Sequence, residues 1–211
     1  MLHGFYPATS MPDSDWWQSL WPRPEQVVAA LGIKAGADTI VDLCCGDGLF
    51  TAALAPLTRR VVALDLDPKL LELTRSRMTS AGATNADFIA GDAYDIATLV
   101  RTPADAVLIA NTFHGVPEKQ RLARAVALTL KPSGYFIVVN WHRRPREATV
   151  VLGQPRGPAT ELRMEPADVV LAAEPAGFAL ARIVELPPYH YAAMLVLRSS
   201  AKSPLAPSRS I

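Results

Sequence analysis

The stretch TIVDLCC, Thr39 to Cys45, sets apolar side chains on consecutive rather than alternate positions and runs directly into a glycine turn, Gly46-Asp47-Gly48. A strand that is apolar on both faces must be covered on both faces, which places it inside a parallel sheet with helices above and below. The rest of the chain meets that demand. Strand-like runs at Arg60 to Asp67, Ala86 to Asp92, Ala104 to Phe113 and Tyr135 to His142 alternate with segments of helical period. The helical segments lie at Gly48 to Leu57, from Pro68 to a stop at Gly82, at Tyr94 to Arg101 and at Pro117 to Leu130. Proline suits a first helical turn and glycine a helix end. Five strand and helix units in this order predict a doubly wound α/β sheet.

After the fifth strand the pattern changes. Arg143 to Glu165 is rich in Pro, Gly and Arg, has no period, and reads as a loop. A helix over Pro166 to Ala176 leads into two strands, Phe178 to Leu186 and Tyr191 to Ser199, joined only by PPYH. So short a link permits an antiparallel hairpin and not a parallel crossover. The expected architecture is therefore a mostly parallel, seven-stranded sheet that closes on an antiparallel C-terminal hairpin, with helices on both faces. With 50% hydrophobic residues in 211, one core and one domain over residues 24–199 are expected. Residues 1–23 carry Trp16, Trp17 and Trp21, as a lid over a site or as an aromatic cluster docked on the sheet, and a helix is expected from Pro24 to Leu31. Residues 200–211, rich in Ser and Pro, are expected to be unordered.

The 21 Lys and Arg against 20 Asp and Glu leave a formal charge of +1, so no global field recruits nucleic acid or an anionic membrane. No apolar run reaches the roughly 20 residues that span a bilayer. The N-terminal stretch lacks the basic and apolar regions of a signal peptide, and a cytoplasmic chain is expected. The two cysteines, Cys44 and Cys45, are neighbours that cannot form an ordinary bridge with each other, in keeping with a reducing compartment.

In an open parallel sheet, ligands bind beyond the carboxyl ends of the strands. Three acidic residues lie there: Asp42 before the turn that contains Gly46 and Gly48, Asp65 where the apolar run VVAL stops, and Asp92 after Gly91. The glycines let backbone approach a ligand, and a carboxylate about 20 residues beyond such a turn can accept from both ribose hydroxyls. Asp92 can accept from a purine's exocyclic amine. Three carboxylates around one turn describe a nucleoside-shaped ligand with little or no phosphate. The nearest alternative is a nicotinamide-binding Rossmann domain, which Gly46, Gly48 and Asp65 would also suit. Against it stand Asp42, Asp92, the closing hairpin and Thr51, which occupies the place of a third glycine.

In order, VDLCCGDG, ALDLDP, FIAGDA and DAVLIANTFHGV resemble the successive motifs of the class I, Rossmann-like methyltransferases that use S-adenosylmethionine. The likeness is to the small-molecule type, similar to quinone-biosynthesis methyltransferases. The resemblance implies that the loop from Asp42 through Cys44, Gly46 and Gly48 holds the methionine part. It assigns the ribose to Asp65 with Leu66 beside it, and the adenine to Asp92 with Ala93. Asn111 to His114 would border the sulfonium and its methyl. Cys44 stands where the family usually has glycine. The implied reaction moves a methyl group to a small-molecule acceptor and leaves S-adenosylhomocysteine. Two other functions remain open: an inactive protein that binds the cofactor to regulate, and a methyltransferase acting on RNA or protein.

On the acceptor side, His114 and His142 are candidate bases or orienting groups, and His190 is expected in a turn on the same rim. Trp17, Trp141, Tyr189 and Tyr191 are candidate acceptor contacts, and Arg143, with Arg144 and Arg146 beside it, suits an anionic acceptor or a phosphate backbone. His3 has no assigned place. Three imidazoles can ligate a metal, but no thiolate or carboxylate motif accompanies them, and no metal is expected.

Overall fold

The computed structural model describes Tyr6 and residues 9–198. His3 and the tail from Ser199 onward lie outside the described residues. Two helices come first, α1 (Ser14–Leu20) and α2 (Pro24–Ala30). The alternating core follows as β1 (Ala37–Leu43), α3 (Leu49–Leu54), β2 (Thr58–Asp65), α4 (Pro68–Ser80), β3 (Ala86–Ala90), α5 (Ile96–Leu99), β4 (Ala104–Ala110), α6 (Lys119–Thr129) and β5 (Leu130–Trp141). Then come a small hairpin of β6 (Val150–Val151) and β7 (Gln154–Pro155), α7 (Pro166–Ala173), β8 (Phe178–Leu186) and β9 (His190–Leu197).

The main sheet has the order β3-β2-β1-β4-β5-β9-β8. Its first five strands are parallel, whereas β9 runs antiparallel to both β5 and β8. This is the seven-stranded, mostly parallel sheet with a terminal hairpin that the sequence predicts. Side chains alternate between its faces. Val41, Leu43, Val62, Leu64, Val107 and Ile109 face one layer with Leu122 and Val126 of α6 and Val169 of α7. Ile40, Val61, Ala106, Leu108, Ile137 and Val139 face the other, with Trp16 and Trp17 of α1, Val28 of α2 and Phe50 of α3. Burial of each such side chain stabilises the fold by roughly 1.5–3 kcal/mol against exposure, so the consecutive apolar run in β1 is accounted for by two separate cores.

Three elements differ from the sequence reading. Helix α1 forms in the aromatic N-terminal stretch, where no helix is expected; it has no side-chain cap, and its Trp16, Trp17 and Leu20 are buried. Tertiary burial rather than local propensity holds it. The segment 143–165 is not structureless, since β6 pairs with β7 and Arg163 is fully buried within the segment. The guanidinium donates to the carbonyls of Pro158, Arg144 and Arg156 and to Thr149 Oγ1, at 2.8–3.1 Å. Finally, β5 begins at Leu130, with Ala104 opposite Leu130 and Ala106 opposite Tyr135. The expected turn Lys131 to Gly134 is thus a bulge inside the ladder.

Candidate active site

The carboxyl ends of β1, β2 and β4, the turns after them and the segment after β3 open into a cavity of about 510 Å³, within the range of small-molecule sites. Asp42, Cys44, Gly46, Asp65, Leu66, Asp92, Ala93, Asn111 and His114 all line it. Gly48 lies between Asp47 and Leu49 of the lining, with φ at +80°. A Cβ there would come within 2.7 Å of the Thr74 backbone. Glycine at 48 therefore does two things: it adopts the left-handed conformation, and it lets α4 pack against the turn. Cys44 sits at φ +59° without being glycine, which accounts physically for the glycine usual at that position.

The carboxylates differ in their surroundings. The alternation of β1 puts Asp42 on the α3 side, where Thr51 donates Oγ1–H to its Oδ2 at 2.6 Å. Burial pushes the Asp42 carboxyl up to about 7, against the lowering effect of that hydrogen bond. Asp65 accepts from the Gly46 amide at 2.9 Å and from the Asp67 amide at 3.0 Å, which ties the end of β2 to the glycine turn. Its carboxyl is also raised by burial, with the two amides opposing. Asp92 accepts from the Tyr94 amide at 2.9 Å and from the Tyr6 hydroxyl at 3.3 Å. Asp47 in the turn pairs with Arg77 of α4. Burial, reinforced by neighbouring carboxylates, pushes the Cys44 and Cys45 thiols well up, so neither is primed as a nucleophile.

At the β4 and β5 end the walls change character. Trp16, Trp17, Phe50 and Trp141 line the cavity with Asn111 and His114. Asn111, at φ +58°, carries side-chain nitrogen and oxygen atoms that are buried without a hydrogen-bond partner among the described residues. His114 Nδ1 lies 3.2 Å from Asn140 Oδ1, which also accepts from the Trp141 amide. A carbonyl oxygen cannot donate, so Nδ1 carries a proton in this contact.

Other expected residues lie elsewhere. His142 is not at the cavity. The strand alternation that turns Trp141 toward it turns His142 to the opposite face, where Nε2 meets Glu185 Oε2 at 2.9 Å and the ring meets that of Tyr191 at 4.9 Å. Arg143 is likewise away from it, paired with Asp168 at 2.7 Å. His190 is not in a turn; it is the first residue of β9, fully buried between the rings of Trp21 at 4.5 Å and Trp141 at 4.1 Å. Burial holds its imidazole well below its ordinary value. Tyr189 stacks on Trp141 and exchanges hydrogen bonds with the Val150 backbone, supporting the cavity wall from behind. The Tyr191 hydroxyl donates to Met164 O inside the core. Conversely, Tyr6, Met11, Arg146 and Arg156 line the cavity. Among these only Arg146 belongs to a run that stood out in the sequence.

Residues 40–134 match the model of a methyltransferase domain family. The chain is 31% identical over 140 residues to the ubiquinone biosynthesis O-methyltransferase of Xanthomonas axonopodis pv. citri, covering 62% of this chain and 57% of that protein. It thus spans somewhat more than half the length of the curated relatives it matches. Among solved structures, a SAM-dependent methyltransferase from Aquifex aeolicus superposes with a TM-score of 0.71 at 21% identity, covering 88% of this chain and 94% of that one. Mitomycin 7-O-methyltransferase superposes at 0.67 with 23% identity, over 86% of this chain and 54% of that one. These structures share the fold, and the matched domain contains the glycine turn, Asp42, Asp65 and Asp92. Residues 40–134 thus match a methyltransferase domain, within a chain that shares the fold of S-adenosylmethionine-dependent methyltransferases.

Proposed function

We propose that the protein transfers a methyl group from S-adenosylmethionine to a hydroxyl of a small-molecule acceptor. One observation carries the reading: three carboxylates from three adjacent strand ends, Asp42, Asp65 and Asp92, meet around one glycine turn in a single cavity. The residues fit the donor. Asp65 suits the ribose hydroxyls, and Asp92 with Ala93 suits the adenine. The loop Asp42 to Gly48 suits the methionine part, with Asp42 as a counter-charge to a cation. Phosphate would be repelled by the same three groups. When bound, S-adenosylmethionine supplies an electrophilic methyl on a sulfonium. The chain supplies position and a proton acceptor. Trp16, Trp17 and Trp141 exclude water and cover an apolar acceptor, and holding two reactants in line is worth up to roughly 7–11 kcal/mol. His114, which lines the cavity at the β4 end and is oriented by Asn140, is placed to serve as the base for an acceptor hydroxyl, which would add about 10²–10⁴-fold.

Hydroxyl methylation is the activity named for the Xanthomonas relative, and the place of His114 in the cavity lining supports extending it to this chain. The free thiols of Cys44 and Cys45 support the cytoplasm as the working compartment. The reaction is tested by incubating the protein with methyl-labelled S-adenosylmethionine and a panel of hydroxylated aromatic acids. Label in an extractable product, absent with Asp65→Ala, supports the reading. Tight donor binding with no product from any acceptor would favour an inactive cofactor-binding protein instead.

A further inference from the structure

Two arginines line the cavity from a segment outside the matched methyltransferase domain. Arg156 follows β7, with its guanidinium 5.3 Å above the Trp16 ring, and its Nε is buried with no hydrogen-bond partner among the described residues. Arg146 donates Nε–H to Gly157 O at 3.0 Å, which fixes it beside the same turn. Neither guanidinium has an ion pair among the described residues, although Arg143 in the same segment does. Arg156 is half-buried with an unsatisfied Nε–H, a cost that an anionic ligand reverses, and the exposed Arg146 adds a second positive charge beside it.

The segment is built to hold them there. Arg163, buried beneath, gathers the carbonyls of Arg144, Arg156 and Pro158. Gly157, at φ +87°, lies so close to the Trp141 ring that a Cβ would come within 2.9 Å of it. The Arg156 to Gly157 turn is therefore pressed onto the aromatic wall at the β5 end, away from Asp65 and Asp92 at the β2 and β3 end. Asp42, Asp65 and Asp92 thus surround the glycine turn where the nucleoside fits, while Arg146 and Arg156 lie beside Trp16 and Trp141, with Asp13 the acidic residue of the lining next to α1.

We propose that the methyl acceptor carries a carboxylate, which Arg156 and Arg146 bind while Trp16, Trp17 and Trp141 enclose its apolar body. This rests on the methyltransferase reading above. The same chemistry exists in the methionine carboxylate of the donor, so the test must separate the two sources.

The protein is first titrated calorimetrically with S-adenosylhomocysteine and with 5′-methylthioadenosine, which lacks the carboxylate. The protein saturated with S-adenosylhomocysteine is then titrated with 4-hydroxybenzoate and with its neutral methyl ester. The acid is expected to bind at least about tenfold tighter than the ester, a bidentate charge-assisted contact being worth that much. In Arg156→Gln the preference falls to near one, in Arg146→Gln it falls part of the way, and S-adenosylhomocysteine binds as before, which also reports that the variants are folded. Equal binding of acid and ester, binding of neither, or a preference that survives both substitutions overturns the proposal. So does an Arg156→Gln variant that loses S-adenosylhomocysteine but keeps 5′-methylthioadenosine, since the arginine would then hold the donor. Failure of the unaltered protein to bind S-adenosylhomocysteine overturns the methyltransferase reading itself, and this inference with it.

Discussion

Thr51 Oγ1 donates to Asp42 Oδ2 at 2.6 Å, and both residues are closed off from solvent. Where a dinucleotide-binding turn would place a third glycine, this chain places a donor that partly stabilises a buried carboxylate under its cofactor loop. Burial still wins, raising the carboxyl from 3.8 to about 7. Between those values the folded chain binds more protons than the unfolded one. Stability is then fully present below about pH 4 and lost as pH rises through 7, by on the order of 4 kcal/mol. Asp65, raised in the same direction, adds to the trend. Denaturant titrations of the ligand-free protein are expected to give a midpoint that falls from pH 5 to pH 8 and a flatter profile in Asp42→Asn. Thr51→Val, which keeps the shape and removes the donor, is expected to cost a further 1–3 kcal/mol or so at pH 8.

Gly48 is the position in the cofactor loop least able to accept a side chain. In Gly48→Ala the new methyl meets the Thr74 backbone and Cγ2, in a left-handed conformation. A loss of about 2–4 kcal/mol is expected from strain and overpacking together. Thermal unfolding measures it; a variant as stable as the parent contradicts the packing account of the turn.

His114 and His142 both follow parallel strands, yet only His114 lines the cavity. With a hydroxyl acceptor, His114→Ala is expected to lower turnover by about 10²–10⁴-fold. His142→Ala is expected to leave turnover unchanged, because its ring engages Glu185 on the other face. The reverse pattern would move the base to His142.

Arg163 has four acceptors and no carboxylate partner among the described residues. Arg163→Met fills similar space but leaves those acceptors unpaired, at a cost of about 1–3 kcal/mol for each one that water cannot reach. Hydrogen exchange is expected to speed up first at the Arg156 amide, which is bonded to Thr149 O. Uniform protection throughout residues 143–165 would show that the β6 and β7 hairpin holds without it.

The main sheet was legible because its strands are apolar on consecutive positions and its turns carry Gly46, Gly48 and Gly82. The cofactor side was legible for the same reason, since Asp42, Asp65 and Asp92 interrupt or end those strands. The acceptor side was less so. His142 and Trp141 are neighbours in sequence and face opposite layers, a distinction that depends on the register at a strand end. His190 looked like a turn residue because β9 starts one residue before its apolar run. Arg156 carries no local signal at all: it stands in a Pro and Gly rich stretch, and its position depends on Arg163, seven residues on. Helix α1 was missed because its two central tryptophans form no amphipathic period over so short a stretch.

The central claim is that the carboxylates around the glycine turn bind an adenosyl sulfonium compound and not a dinucleotide. Calorimetric titration with S-adenosylmethionine and, separately, with NAD tests it most directly, with Asp65→Ala as the control. Saturable binding of S-adenosylmethionine alone, lost or much weakened in Asp65→Ala, is expected. Saturable binding of NAD, or S-adenosylmethionine binding that is indifferent to Asp65, would contradict it.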